Sequence, residues 1–397
     1  MGETDTRETS MKLALIGFGQ AGGKIVDEFL AYDAAVGGGF VGDAIAVNSA
    51  RADLAGLENV HTDKQVLIGG TRVSGHGVGA DNELGAVVAE EDIDEIQDAI
   101  DTVPVHDLDA FLIVAGMGGG TGSGGAPVLA KHLKRVYSEP VYGLGVLPGT
   151  DEGGIYTLNA ARSFRTFVRE VDNLLVFDND VWRRAGESVE GGYDAINREI
   201  VERFGTLFSA GEVGAGDHVA ESVVDSSEII NTLECGGVST IGYASETVER
   251  EESGLLSRFT RSESESDDVA KTTRMTSLVR KATLGRLTLP CDVSSVERAL
   301  VVASGPPTEL NRKGIERGRQ WLEEETGSME VRGGDYPTSD DEVGSVVLLS
   351  GVTDIPRVEQ LQDLAVETKE TTAEVREQSE EGIEELMDTG GELDALF

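Results

Sequence analysis

The sequence predicts an α/β fold: a doubly wound domain built on a parallel sheet, then one long helix, then a smaller α+β unit. Three observations carry this. Short apolar runs alternate with helical stretches through the first half of the chain. Two glycine-rich loops, residues 17–24 and 116–127, each sit where an apolar run hands over to a helical pattern. At Tyr193 the periodicity changes to one long amphipathic stretch, and a second set of short runs follows it.

Six runs read as strands buried on both faces: residues 12–17 (KLALIG), 44–48 (AIAVN), 65–68 (QVLI), 110–115 (AFLIVA), 141–147 (VYGLGVL) and 173–177 (NLLVF). Helical stretches fall between them, for example 22–32, 91–100 and 126–136. From 193 to 210, Ile196, Ile200, Val201, Phe204, Leu207 and Phe208 recur at spacings of three and four, the stripe of one amphipathic helix. Strand candidates 238–244, 298–303, 328–332 and 345–350, with helices at 276–284 and 311–326, make the smaller unit. Two segments hold few core residues. Residues 249–268 are acidic and serine-rich, and 366–397 form an acidic tail, disordered or helical, that ends in GELDALF. That end is either a frayed terminus or a short docking peptide. The N-terminal MGETDTRETS is polar and acidic, a flexible prefix and not a signal or transit peptide. The expected domains are the prefix (1–11), an α/β domain (12–192), the central helix and connection (193–222), an α+β domain (223–365) and the tail.

The charge balance excludes some functions. Asp and Glu total 73 against 33 Lys and Arg, a net charge of −40. Nucleic-acid binding needs a basic footprint and is disfavoured. The acids recur in nearly every segment, which fits adaptation to a very salty cytoplasm better than a local acidic interaction surface. There the Debye length shrinks to about 3 Å and self-repulsion is screened. No apolar run is long enough to span a membrane. The two cysteines, Cys235 and Cys291, make neither a disulfide framework nor a metal cluster, and read as reduced thiols of a cytoplasmic protein.

The first glycine loop, "GFGQAGGK", holds Gly17-x-Gly19-x-x-Gly22 between a strand and a helix. Alone, this is the dinucleotide fingerprint, and an NAD-binding enzyme is one reading. The usual acid at the end of the second strand is absent, since that strand ends in Asn48-Ser49-Ala50. The second loop, "GMGGGTGSGGAP", strips side chains where several backbone N–H groups and a helix N-terminus converge. Thr121 and Ser123 add hydroxyl donors or cap the helix that follows, and no lysine completes a P-loop. Two such loops at the ends of parallel strands can cradle one polyphosphate.

Gly118-Gly119-Gly120-Thr121-Gly122-Ser123-Gly124 resembles the signature of the tubulin/FtsZ superfamily, whose members are polymerising GTPases. Further matches follow in order. "AVNSARADL" (46–54) is similar to the second nucleotide loop, "GHGVGADNELG" (75–85) to the γ-phosphate sensor, and "PGTDEGG" (148–154) to the sugar loop. "DNLLVFDND" (172–180) resembles the strand and loop that offer an Asn to the base. Among the family's branches the chain most resembles CetZ, the tubulin-like family of salt-loving archaea. The resemblance implies a Rossmann-like GTPase domain, a central helix and an α+β activation domain. It implies GTP or GDP with Mg²⁺, and a site made of Gly19, Gln20, Ala21, Gly22, Lys24, Asn48, Ser49, Ala80, Asp81, Gly116, Gly118, Gly119, Gly120, Thr121, Gly122, Ser123 and Gly124. Glu152 would meet the ribose, Asn179 the base, Tyr193 would stack on guanine, and Asn197 would bond the guanine edge. Lys24 and Arg162 belong at phosphate or base, or equally on the surface.

The family draws its catalyst from the next subunit. The match here is Val223-Val224-Asp225-Ser226-Ser227-Glu228, with Val where FtsZ has Asn. The resemblance implies Glu228 for water activation and Asp225 for positioning or for cation binding. Read from the residues alone, Asp225 caps a helix beginning at Ser226 and Glu228 completes a capping box. The implied function is a cytoskeletal GTPase that assembles head to tail, hydrolyses GTP between subunits and controls cell shape. The alternative is a nucleotide-dependent scaffold with little hydrolysis. The implied partners are further copies of the chain and an adaptor at the tail, which could bring cytoplasmic filaments to the envelope; neither nucleic acid nor direct membrane insertion is expected. Residues 249–268 tune lateral pairing or form a solvated loop.

Overall fold

A computed structural model describes residues 10–183, 189–210, 224–248, 263–338 and 341–368. Val223, most of the 249–268 insertion, most of the prefix and the tail from residue 369 lie outside the described residues. In chain order the first half runs β1 (Leu13–Phe18), α1 (Gly19–Val36), β2 (Val41–Asn48), α2 (Arg51–Ala55), β3 (Gln65–Leu67), α3 (Asn82–Glu91), α4 (Ile93–Ile100), β4 (Ala110–Gly116), α5 (Thr121–Val136), β5 (Val141–Leu147), α6 (Gly154–Glu170), β6 (Asn173–Asp178) and α7 (Asn179–Trp182). The long helix is α8 (Val189–Ser209). Then come α9 (Ser226–Leu233), β7 (Val238–Thr247), α10 (Glu263–Leu284), β8 (Arg298–Gly305), α11 (Arg312–Thr326), β9 (Glu330–Pro337) and β10 (Glu342–Val352). Residues 356–368 are helical.

All ten strands join one sheet, in the order β3-β2-β1-β4-β5-β6-β7-β10-β8-β9. β3 to β7 are mutually parallel, and β10 is antiparallel to both neighbours. The first six strands are the six expected; β1, β4, β5 and β6 are nearly or wholly buried, β2 is buried from Ala44 on, and the edge strand β3 is partly buried. The α+β unit is not a separate body: it continues the sheet. The join is narrow, since β6 and β7 pair only at Leu174–Val238 and Leu175–Ser239. Asn173, fully buried, stitches it. Its Nδ2 donates to Leu233 O, Gly236 O and Ser350 Oγ, and its Oδ1 accepts from Ser239 Oγ.

Alternate strand residues feed two core layers, as the pleat requires. Ala14, Ile16 and Phe18 of β1 face one layer, with Leu129 and Leu133 of α5 and Phe167 of α6. Leu13 and Leu15 face the other, with Phe29 of α1 and Phe204 and Phe208 of α8. The predicted stripe of α8 is buried throughout, from Ile196 to Phe208. The helix spans the height of the sheet: Phe208 packs on Phe40, just before β2, while Tyr193 lies beyond the far strand ends.

Several helix boundaries differ from expectation. α1 starts at Gly19, and α5 starts at Thr121 and not at 126, so Thr121 to Gly124 form its first turn. The helix expected over 91–100 is α4, which starts two residues later, at Ile93, while α3 ahead of it ends at Glu91. Asp81 caps α3 through Leu84 N (2.9 Å), and Asp92, at φ −104° and ψ 27°, breaks the chain before α4. Periodicity missed these starts because glycine and Asp carry no apolar signal.

Candidate nucleotide site

The first six strands all point the same way, so their following loops gather at one edge. There they enclose an open cleft of about 980 Å³. This is the crevice outside the carboxyl ends of the strands where α/β sheets bind ligands. Both glycine loops line it, through Gly19, Gln20, Ala21 and Lys24 on one side and Gly116, Gly118, Gly119, Gly120, Thr121 and Gly122 on the other. Asn48, Ala80, Glu152, Asn179, Tyr193 and Asn197 also line it. Sixteen of the residues singled out in the sequence therefore meet in one place, drawn from six loops and α8.

Others stand behind the lining. Gly22 packs α1 on the sheet: a Cβ there would lie 2.1 Å from Val114 O. Ser49 is fully buried, and its hydroxyl shares a 2.7 Å hydrogen bond with that of Thr121. Asp81 caps α3. The Ser123 hydroxyl turns back to Gly119 O and Gly120 O, so it offers no proton to the cleft. At Gly124 a Cβ would meet Asn82 O at 2.1 Å. Part of the glycine run is thus bare for protein–protein contact and not for the ligand. Gly119 is the converse: nothing of the chain lies within 4 Å of where its Cβ would be. Arg162 pairs with Glu83 (3.1 Å) and does not line this cleft.

Another part of the cleft wall carries Pro148, Asp151, Glu152 and Asn179. Glu152 Oε1 accepts from Gly149 N (2.6 Å), and Glu152 N donates to Gly149 O (3.1 Å). Tyr193 is half-buried, and desolvation with the nearby Glu152 carboxylate pushes its phenol up to about 12. It therefore stays neutral. Asn179 is 5 % exposed, and its Oδ1 has no hydrogen-bond partner among the described residues. A buried acceptor left unpaired is costly. Asp178, behind it, is 2 % exposed, and burial raises its carboxyl to about 6 against the pull of Arg357.

Asp225 and Glu228 are not in the cleft. Asp225 caps α9, accepting from Glu228 N (3.2 Å), as the residues alone suggested. The Glu228 side chain does not complete a capping box; its Oε2 accepts from Arg332 Nη1 at 3.0 Å. α9 ends against Asn173, the first residue of β6, whereas the cleft begins beyond Asp178, the last. The helix therefore closes on the edge of the sheet away from the cleft.

Sequence reading missed several lining groups. Asp53 accepts from Asn48 Nδ2 (3.1 Å), Asp151 pairs with Arg183, and Tyr156 opens α6 at the cleft. It also missed Asn159, 1 % exposed, whose Nδ2 reaches Ala80 O (2.7 Å), Gly118 O (3.0 Å) and Gly119 O (3.3 Å) and so ties two nucleotide loops together. A polar residue on the buried face of α6 was the available signal.

Known proteins place this geometry. Residues 12–187 match the profile of the Tubulin/FtsZ family, GTPase domain, and 186–367 that of the tubulin-like CetZ C-terminal domain. Tubulin-like protein CetZ1 of Haloferax volcanii is 69 % identical over 92 % of this chain and 95 % of its own length. A solved GDP-bound monomer of that CetZ1 superposes with TM-score 0.81 at 65 % identity, covering 90 % of this chain and all of the other. A GTPγS-bound protofilament of CetZ2 from the same organism gives 0.81 at 46 % identity, over 91 % of this chain and all of that one. With two profiles that abut along the chain and a relative this similar over nearly its whole length, the chain belongs to the CetZ family of tubulin-like proteins, and its N-terminal half is a Tubulin/FtsZ-type GTPase domain.

Proposed function

We propose that the chain is a cytoskeletal GTPase that binds GTP in this cleft, stacks head to tail and hydrolyses the nucleotide between subunits. The observation that carries this is a split. The binding groups converge at one edge of the sheet, while Asp225 and Glu228 stand on a helix that closes on the other edge. The three carboxylates that line the cleft are already engaged, Asp53 by Asn48, Asp151 by Arg183 and Glu152 by Gly149 N. A second copy stacked on the cleft could bring its own Glu228 to the γ-phosphate.

The residues fit their roles by chemistry. Backbone N–H groups around Gly118 to Gly122 and the start of α5 suit a polyphosphate. The unpaired Asn179 Oδ1 suits an N–H of the base, Tyr193 a ring face, and Asn197 the base edge. Glu152 is placed for ribose hydroxyls. Mg²⁺ fits as a partner of the triphosphate: no group of three His, Cys, Asp or Glu among the described residues forms a cage. Asp53 and Gln20 could each lend it an oxygen beside phosphate and water. Bound there, the ion would neutralise charge that builds on the phosphates. Glu228 would orient or deprotonate the attacking water, with Asp225 holding the turn that presents it. The GDP-bound monomer and the GTPγS-bound protofilament of the Haloferax proteins support both nucleotide binding and assembly. A role in cell shape, within the cytoplasm and through an adaptor at the acidic tail, completes the reading. No helix among the described residues is long and apolar enough to cross a membrane.

The test is GTP turnover per subunit against protein concentration, in molar KCl with Mg²⁺. A steep rise above a threshold is expected; turnover that is flat across the range would overturn the shared site. A scaffold that hydrolyses little is the second reading, and one observation favours it: Arg332 already occupies the Glu228 carboxylate.

A further inference from the structure

The helix at 356–368 follows β10, far along the chain from the nucleotide loops, yet it lies against the wall of the cleft. Arg357 is 7 % exposed. Its Nε is 3.2 Å from Asp178 Oδ2, and its Nη2 donates to Pro148 O (2.9 Å) and lies 3.1 Å from Asp180 Oδ2. Nη1 donates to Gln360 Oε1 (2.9 Å) on its own helix. Asp180 carries the link on, because its Oδ1 accepts from Thr150 N at 2.8 Å. One guanidinium therefore holds residues 148–150 and 178–180 at a set spacing, with Asn179 and its unpaired Oδ1 between the two aspartates. The helix also meets the wall at its other end. A Cβ on Gly154 would lie 3.0 Å from the Thr368 side chain, so the first residue of α6 is pressed against the helix there. The loop that carries Asp151 and Glu152 is braced at both ends by one element.

We propose that Arg357 is a positioning residue for the ribose of the nucleotide: it locks the helix 356–368 to the loop 148–152, so the C-terminal end of the domain sets where Glu152 stands. This rests on the reading of the cleft as a guanine-nucleotide site. The planar guanidinium is needed because it serves acceptors in several directions from one rigid fork, which a lysine ammonium on a flexible stem does not. A buried ion pair is weak evidence for added stability, so what the lock contributes is geometry.

The experiment is calorimetric titration of the full chain in molar KCl with GDP and with 2′,3′-dideoxy-GDP, which lacks the hydroxyls Glu152 would meet. In Arg357→Lys, the Kd for GDP is expected to rise about tenfold, the loss of one hydrogen bond to a charged group, and that for the dideoxy analogue less than about twofold. Asp180→Asn cuts the same lock at a less buried point and is expected to show the same selectivity, which guards against a misfolded Arg357 variant. Equal losses for both nucleotides would make Arg357 a general support of the fold and overturn the inference. Wild-type protein that binds both analogues equally would overturn it too, while leaving the nucleotide site in place. Wild-type protein that binds neither would overturn the nucleotide reading itself, and this inference with it.

Discussion

The cleft and the start of α9 hold the two halves of one proposed active site, and they are built in different ways. The cleft is a convergence of backbone. Its phosphate side is glycine-rich, its carboxylates are tied to neighbours, and residues from six loops and α8 meet there. The start of α9 is a single helix end. Asp225 caps it, and Glu228 projects half-exposed toward Arg332 on β9. A binding site needs many groups fixed at once, so it is assembled from the whole domain. A group offered to another molecule needs only one firm turn and access to solvent. The difference predicts that damage to each region should be read by a different assay.

The largest effect should come from Glu228→Gln. Turnover above the assembly threshold is expected to fall by about 100-fold, the scale of a lost general base, with GDP affinity unchanged. Phosphate release and calorimetry check the pair, and a matching loss of affinity would break the separation of the two regions. Next is Gly124→Ala, whose methyl would meet Asn82 O. Unfolding free energy should drop by about 2 kcal/mol from overpacking, despite alanine's better helix propensity. Gly119→Ala, with open space around it, should leave the melting curve in place and weaken nucleotide binding instead. Identical behaviour of these two variants would mean that the glycine run has one purpose and not two.

Asn197→Ala is expected to weaken GDP binding by about tenfold, as loss of a hydrogen bond to the base does, without altering the concentration at which turnover rises per nucleotide-bound subunit. The smallest effect sharpens the reading of Asp225. Asp225→Ala removes the cap of α9 and should cost about 1 kcal/mol, while Asp225→Ser keeps the cap. If the serine variant restores both stability and turnover, the residue acts through the helix end. If it restores stability alone, its charge matters at the junction between subunits.

Much of the cleft was legible because its signals are local. Gly17 to Lys24 and Gly116 to Gly124 each stand between an apolar run and a helix, and both loops line the cleft. Tyr193 and Asn197 came from the resemblance to the tubulin/FtsZ family, and Asp225 as a cap from its position before Ser226. The residues that stand behind the lining share a cause. Ser49, Ser123 and Gly124 have the right chemistry in the right loops, but each spends it on a neighbouring loop, and which side a residue turns to is not written in its own segment.

The sequence by itself determined the class of fold, the order of strands and helices, and the two glycine loops, because hydrophobic periodicity and missing side chains act over a few residues. Only the tertiary structure decided that the second unit continues the first sheet, through β6 and β7 and the buried Asn173. It alone brought Asn159 to the carbonyls of two loops and Arg357 to Pro148, Asp178 and Asp180. Those contacts satisfy buried polar groups, and a buried donor takes whatever acceptor the packed chain brings within about 3 Å, however far away it lies in sequence.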